Sequence, residues 1–192
     1  MRIVAAVAAV AFFAACGSKA DETLSTDNSG GWTMDETASR LEFTATQTGK
    51  AFSGSFEEFD ASIVFDPDNL ETATISVVIK TASARTGDRQ RDGALPTNDW
   101  FAAKAFPEAT FSADEVVRVD EGRYEARGAL TIRGTSRPLS LPFTLAIDGD
   151  RAVADGETTL VRTDFGVGQG EFATDEWVGF DVSVAFHLEA TR

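Results

Sequence analysis

The stretch "WVGFDVSVAFHLEA", residues 177–190, alternates apolar and polar side chains with a period of two. Val178, Phe180, Val182, Val184, Phe186 and Leu188 fall on one face, and Asp181, Ser183, His187 and Glu189 on the other. Successive strand side chains point to opposite faces, so the pattern predicts a strand with one buried and one wet face. Working back along the chain, "RPLSLPFTLAID" (137–148) does the same with Leu139, Leu141, Phe143, Leu145 and Ile147. "RYEARGALTIRG" (123–134) does so with Tyr124, Ala126, Gly128, Leu130 and Ile132. "ASIVFDP" (61–67) and "ATISVVIKT" (73–81) add Ile63 and Phe65, then Ile75, Val77 and Ile79. "SRLEFTATQTG" (39–49) and "KAFSGSFEEF" (50–59) open the set with Leu41 and Phe43, then Phe52 and Phe56. The joints "DPDN", "DEGR" and "DGDR" carry turn chemistry. At least eight strands without a long helical pattern between them predict an antiparallel barrel or sandwich. Gly54 and Gly128 fall inside strand patterns, where glycine marks a bend, a bulge or a close approach to the backbone.

One region, roughly 84–109, breaks the rhythm. It contains "TGDRQRDGALPTNDWF" (86–101), a dense charge run that turns through Leu95-Pro96 into Trp100 and Phe101. Around a barrel, such an excursion covers an end or a side. Trp100, Phe101, Phe106 and Phe111 are expected to plug or line the interior from it. Arg85, Asp88, Arg91 and Asp92 have two open readings. They form a network that staples the excursion down, or an arginine among them meets a pyrophosphate or carboxylate head group. Arg162, in "VRTDFG", shares both readings.

Composition narrows the function. The chain has 192 residues and an apolar fraction of 43%, enough for one domain with a substantial core. Fifteen Phe against one Tyr supply large apolar area without a polar handle, which points to a wide apolar interior or cavity. A net charge of −14 repels nucleic acid and anionic membrane surfaces, so neither is an expected partner.

The N-terminus reads as an export signal. Arg2 precedes an apolar run from Ile3 to Ala15, too short to span a bilayer, and then Cys16. Ala14-Ala15-Cys16 resembles the bacterial lipoprotein cleavage box, which makes residues 1–15 the leader and Cys16 the acylated anchor. A plain signal peptide cut after Ala20 is the alternative. Residues 16–31 are small and polar and read as a flexible tether, and the domain is placed at 32–192. Cys16 has no cysteine partner, so no disulfide forms within the chain.

Catalysis is not expected. The single histidine, His187, sits on the wet face of the last strand, and one His with one Cys makes no common zinc site. Ser183 and His187 share a face but stand roughly 13 Å apart along a strand. No metal and no cofactor is implied. "GVGQGEF" (166–172) has no phosphate-loop context and reads as a turn or lid near the barrel mouth.

Five motifs in order carry a resemblance. They are F-x-x-F…FDP (56–67), T-G-x-x-x-R-D-x-x-L (86–95), D-W-F with F-P-x-A-x-F (99–111), G-x-L-T-I-R-G (128–134) and R-x-x-F-G-V-G-Q-G (162–170). Together they resemble the YceI-like family of exported, polyisoprenoid-binding proteins, over residues 32–192. The resemblance implies an eight-stranded antiparallel, lipocalin-like barrel with a short irregular or helical excursion around 84–109. It implies a long apolar tunnel that holds the tail of an isoprenoid or other long-chain lipid. The residues expected to line it are Phe43, Phe56, Phe65, Ile79, Trp100, Phe101, Phe111, Leu130, Phe143 and Phe165. The expected role is carriage or sequestration of that lipid in the periplasm or cell envelope, with homodimerisation open, as some family members pair. An envelope structural or interaction protein with a dry, packed barrel is the alternative.

Overall fold

The computed structural model of the chain describes residues 31–192. The leader, Cys16 and nearly all of the tether therefore lie outside the described residues. In chain order the elements are β1 (Gly31–Met34), β2 (Arg40–Gln47), β3 (Lys50–Phe56), β4 (Phe59–Val64), β5 (Thr74–Lys80), β6 (Ala84–Arg85), α1 (Arg89–Ala94), β7 (Glu108–Asp120), β8 (Arg123–Ile132), β9 (Thr135–Asp148), β10 (Arg151–Val161) and β11 (Asp181–Thr191).

The eleven strands make eight staves, because three staves consist of two strands each. β1 and β2 both lie against β11, with Thr33 opposite Thr191 and Thr44 opposite Ser183. β3 and β4 follow as the next stave, Phe56 opposite Leu41 and Ile63 opposite Trp32. β5 and β6 form the third, Ile79 opposite Phe59 and Arg85 opposite Ser55. β7 to β10 complete the ring in sequence order. Pairing of β1 with β11 closes it, so the wall leaves no long open edge. The expected eight-stranded antiparallel barrel is the observed one.

The breaks in the first three staves have local causes. After β1 the Asp35 carboxylate accepts from the Thr37 N–H, the Thr37 hydroxyl and the Ala38 N–H, which turns the chain. After β5 the fully buried Thr81 donates its hydroxyl to the Phe106 carbonyl, and the Ser83 hydroxyl accepts from the Glu58 N–H. These side chains satisfy backbone groups that a continuous ladder would have paired. They also bend the wall, as bulges do.

The barrel has two unlike ends. At one, Trp32, Phe65, Tyr124 and Phe143 fill the interior. The Trp32 indole donates to the Phe65 carbonyl at 3.0 Å, and the Tyr124 and Phe143 rings stack 5.6 Å apart. At the other, the chain between β6 and β7 and the chain between β10 and β11 fold over the opening. The first includes α1, the helical part of the expected excursion.

The sequence pattern overran in one place. β11 starts at Asp181, so Trp177 to Phe180 are not part of it. Val178 is buried and makes an isolated bridge to Gln47, whereas Phe180 is 36% exposed. The cause is Arg162, around whose guanidinium this segment wraps.

Candidate functional site

Inward-facing residues of every stave enclose a cavity of about 190 Å³ in the middle of the barrel. Its wall includes Phe59 and Ile63 of β4, Val77 and Ile79 of β5, Leu130 and Ile132 of β8, Leu139 and Leu141 of β9, Leu160 of β10, and Val184 and Phe186 of β11. Thr158 and His187 are the only residues of the lining that are not apolar. The His187 ring belongs to the outer face, where Nδ1 lies 2.7 Å from an Asp155 carboxylate oxygen. Water in such a cavity would find almost no hydrogen-bond partner. An engineered cavity of roughly 150 Å³ with similar walls stays dry and accepts benzene. Leaving this volume unfilled would forgo roughly 4–5 kcal/mol of packing at about 24 cal/mol per Å³. That is a large share of the roughly 5–15 kcal/mol that stabilises an ordinary domain.

Of the ten side chains expected on the tunnel wall, the structure brings seven to the cavity: Phe56, Phe65, Ile79, Phe101, Phe111, Leu130 and Phe143. The other three stand elsewhere. Phe43 shares the buried face of β2 with Leu41 but does not reach the cavity, its ring 5.5 Å from Phe56 and directly over the position a Gly54 side chain would need. Phe165 is buried in a 3-10 turn after β10 and packs into the core without lining the cavity. Trp100 packs against the core without lining the cavity, with its ring 5.0 Å from Phe172. Residues 100 and 101 lie in an irregular turn where no alternation governs direction. Much of the wall is aliphatic, and the same alternation marks it out in Leu139, Leu141 and Val184.

Trp100 borders a second, outer cavity of about 310 Å³. Its walls come from the β2–β3 hairpin (Gln47, Phe52), the start of the excursion (Thr86, Asp88, Gln90, Arg91, Leu95) and the last loop (Phe172, Val178). Phe101 lines the inner cavity and Trp100 the outer one, so this adjacent pair is the partition between them. Its backbone is held from three sides. The Phe101 N–H donates to the Leu95 carbonyl, Arg133 donates to the Asn98 and Trp100 carbonyls, and the Gly168 and Gln169 N–H groups donate to the Asp99 carbonyl.

The charged residues brace this end. Asp88 caps α1 by accepting from the Gln90 and Arg91 N–H groups, and the Arg91 N–H holds its carboxyl below the usual range. Asp92 accepts from the Thr86 hydroxyl and N–H, both at 2.7 Å, and the hydroxyl is the main cause of its lowered pKa. Arg91 donates to the Thr86 hydroxyl and to Gln47, and its guanidinium lies 4.5 Å over the Phe52 ring. Arg85 donates to the Ala82 and Ala84 carbonyls. Thr86 links Arg91 to Asp92, a role the sequence did not signal.

Arg162 is 4% exposed, and among the described residues its hydrogen-bond partners are all backbone carbonyls. It donates to the carbonyls of Gly179, Val167, Thr174 and Val178, all at 2.8–2.9 Å, and more weakly to Gly168. Burial lowers its pKa, with Asp175 opposing. Gly166, Gly168 and Gly170 all have positive φ, and a side chain on Gly168 would overlap the Arg162 guanidinium. The R-x-x-F-G-V-G-Q-G run is thus a loop wound around one arginine.

Fold and cavities together define a lipocalin-like β-barrel with an apolar inner chamber and a capped end. Residues 32–190 match the YceI-like domain, and the chain belongs to that family. A UPF0312 protein of Pseudomonas putida strain W619 is 32% identical over 137 residues, covering 68% of this chain and 71% of that one. Among solved structures, Burkholderia cenocepacia BcnA is similar with a TM-score of 0.79 and 31% identity, over 82% of this chain and 99% of BcnA. A polyisoprenoid binding domain from Saccharophagus degradans, implicated in plant cell wall breakdown, shares the fold with a TM-score of 0.65 at 16% identity, over 84% of this chain and 98% of that domain.

Proposed function

We propose that this protein binds the hydrocarbon tail of a polyisoprenoid or fatty-acyl amphiphile in its inner cavity, and carries or sequesters that lipid in the bacterial cell envelope. The observation that carries the reading is the cavity itself, about 190 Å³ with a nearly unbroken hydrocarbon wall. Each methylene moved there from water contributes roughly 0.8 kcal/mol before the costs of binding. Phe56, Phe65, Ile79, Phe101, Phe111, Leu130 and Phe143 contact the tail. A tail too long for the chamber continues past the Trp100–Phe101 partition, which puts the head group in the outer cavity. The polyisoprenoid binding domain of Saccharophagus degradans supports the ligand class. The apolar run Ile3–Ala15 before Cys16 supports export and an N-terminal lipid anchor. No catalytic step is part of the proposal.

Native mass spectrometry of protein purified from bacterial envelopes tests it. A retained lipid of defined mass, released on denaturation, is the expected result. A bare chain that also takes up no long-chain lipid on incubation would favour a dry structural barrel.

A further inference from the structure

The cations of the capped end are almost all committed. Arg162 spends its donors on loop carbonyls, Arg133 on the Asn98 and Trp100 carbonyls, and Arg85 on the Ala82 and Ala84 carbonyls, with the Glu57 carboxylate 3.7 Å away. Lys50, Arg89 and Lys104 are exposed and line neither cavity. Arg91 is the one cation in the outer lining and Asp88 the one carboxylate, and the two stand 4.0 Å apart. Asp92 adds a second negative charge behind them, joined to the Arg91 guanidinium through Thr86.

Within the lining of this cavity one positive and one negative charge therefore face each other; Asp92 stands behind them, and so do Arg85 and Arg162, whose donors are taken by backbone carbonyls. A carboxylate or phosphate entering it would add a third anion around one guanidinium, and like charges disfavour that. It would also be desolvated against Trp100 and Phe172, and the one cation of the lining, Arg91, already stands beside Asp88 and is held by Thr86 and Gln47. Gln47 and Gln90, by contrast, present amide groups that both donate and accept, while the Thr86 hydroxyl is committed to Asp92 and Arg91. Resting on the tail-binding reading above, we infer that the outer cavity selects amphiphiles with an uncharged, hydrogen-bonding head group, such as an amide, alcohol or ester, over those with a carboxylate or phosphate.

The test uses delipidated full-length protein and four ligands of one saturated chain length: the primary amide, the primary alcohol, the carboxylate and its methyl ester. Dissociation constants are measured by calorimetry at pH 8. The amide, alcohol and ester should bind roughly tenfold more tightly than the carboxylate, the scale of one unpaired charge near a protein surface. Asp88→Asn keeps a competent helix cap and removes one negative charge, so it should narrow the gap between carboxylate and ester. If that variant fails to fold, the carboxylate–ester comparison on the wild type decides alone. A carboxylate that binds as tightly as its ester overturns the inference. Failure of all four ligands to bind overturns the tail-binding reading instead.

Discussion

Arg162→Met is the most informative single change outside the cavities. The side chain is 4% exposed and holds four carbonyls at 2.8–2.9 Å. Methionine preserves most of the volume and none of the donors. Each buried acceptor left unsatisfied costs roughly 1–3 kcal/mol. The loop can open and rehydrate some of the four, so a net loss of about 4 kcal/mol is expected. For a domain of this size each kcal/mol shifts Tm by roughly 2–4 °C, which gives a drop of about 8–16 °C. Arg162→Lys should recover less than half, because one ammonium cannot reach carbonyls spread from Val167 to Gly179. Gly168→Ala should act in the same direction, since its side chain would overlap the guanidinium and its φ is +82°. Its cost should shrink in the Arg162→Met background, because the overlapping group is gone. Thermal melts by circular dichroism give the stabilities, and amide hydrogen exchange over 163–180 locates the loss. A Tm change under about 2 °C for Arg162→Met would refute the idea that this arginine organises the cap.

Leu130→Trp places a larger ring in the inner cavity. In a filled core it would cost roughly 1–3 kcal/mol. Here stability should change little while tail affinity falls, measured by melts and binding on delipidated protein, and a large stability loss with intact binding would count against an open chamber. Asp88 and Asp92 have folded-state pKa values below their unfolded value of about 3.9. Their contribution is therefore complete above about pH 4 and is lost as pH falls through the lower folded values. Asp92→Asn should flatten the acid limb of a urea-stability profile, and an unchanged limb would remove Asp92 from the brace. Cys16→Ser should abolish acylation and release the domain in unanchored form, with the attached mass read by mass spectrometry. A wild-type chain that begins at Asp21 without acyl groups would contradict the anchor.

Period-two alternation made the long staves legible, because β9 and β11 keep their register against neighbours on both sides, and β8 keeps it against β9. The interior face was legible with them, down to Leu130, Leu139 and Val184. Alternation failed where staves break. Phe56 and Phe59 differ by an odd number of positions yet both line the cavity, because the chain resets at Glu57 and Glu58. It also failed at Trp100 and Phe101, which neighbour each other in sequence and face different cavities. The charge run offered a brace as one of two readings but not its wiring, since Thr86 joins it through an uncharged hydroxyl and Gln47 from a distant strand. Arg162 was visible as a site, whereas its partners are backbone carbonyls, which every residue possesses and no sequence pattern marks.

The central claim is that the tail of an amphiphile lies inside the barrel. A long-chain alcohol brominated at the far end of its tail marks that end for anomalous diffraction. Crystals of the delipidated protein grown with this ligand should show one bromine peak inside the wall formed by Ile63, Leu141, Val184 and Phe186. A bromine confined to the outer cavity beside Trp100 and Phe172, or to the protein surface, would contradict the account.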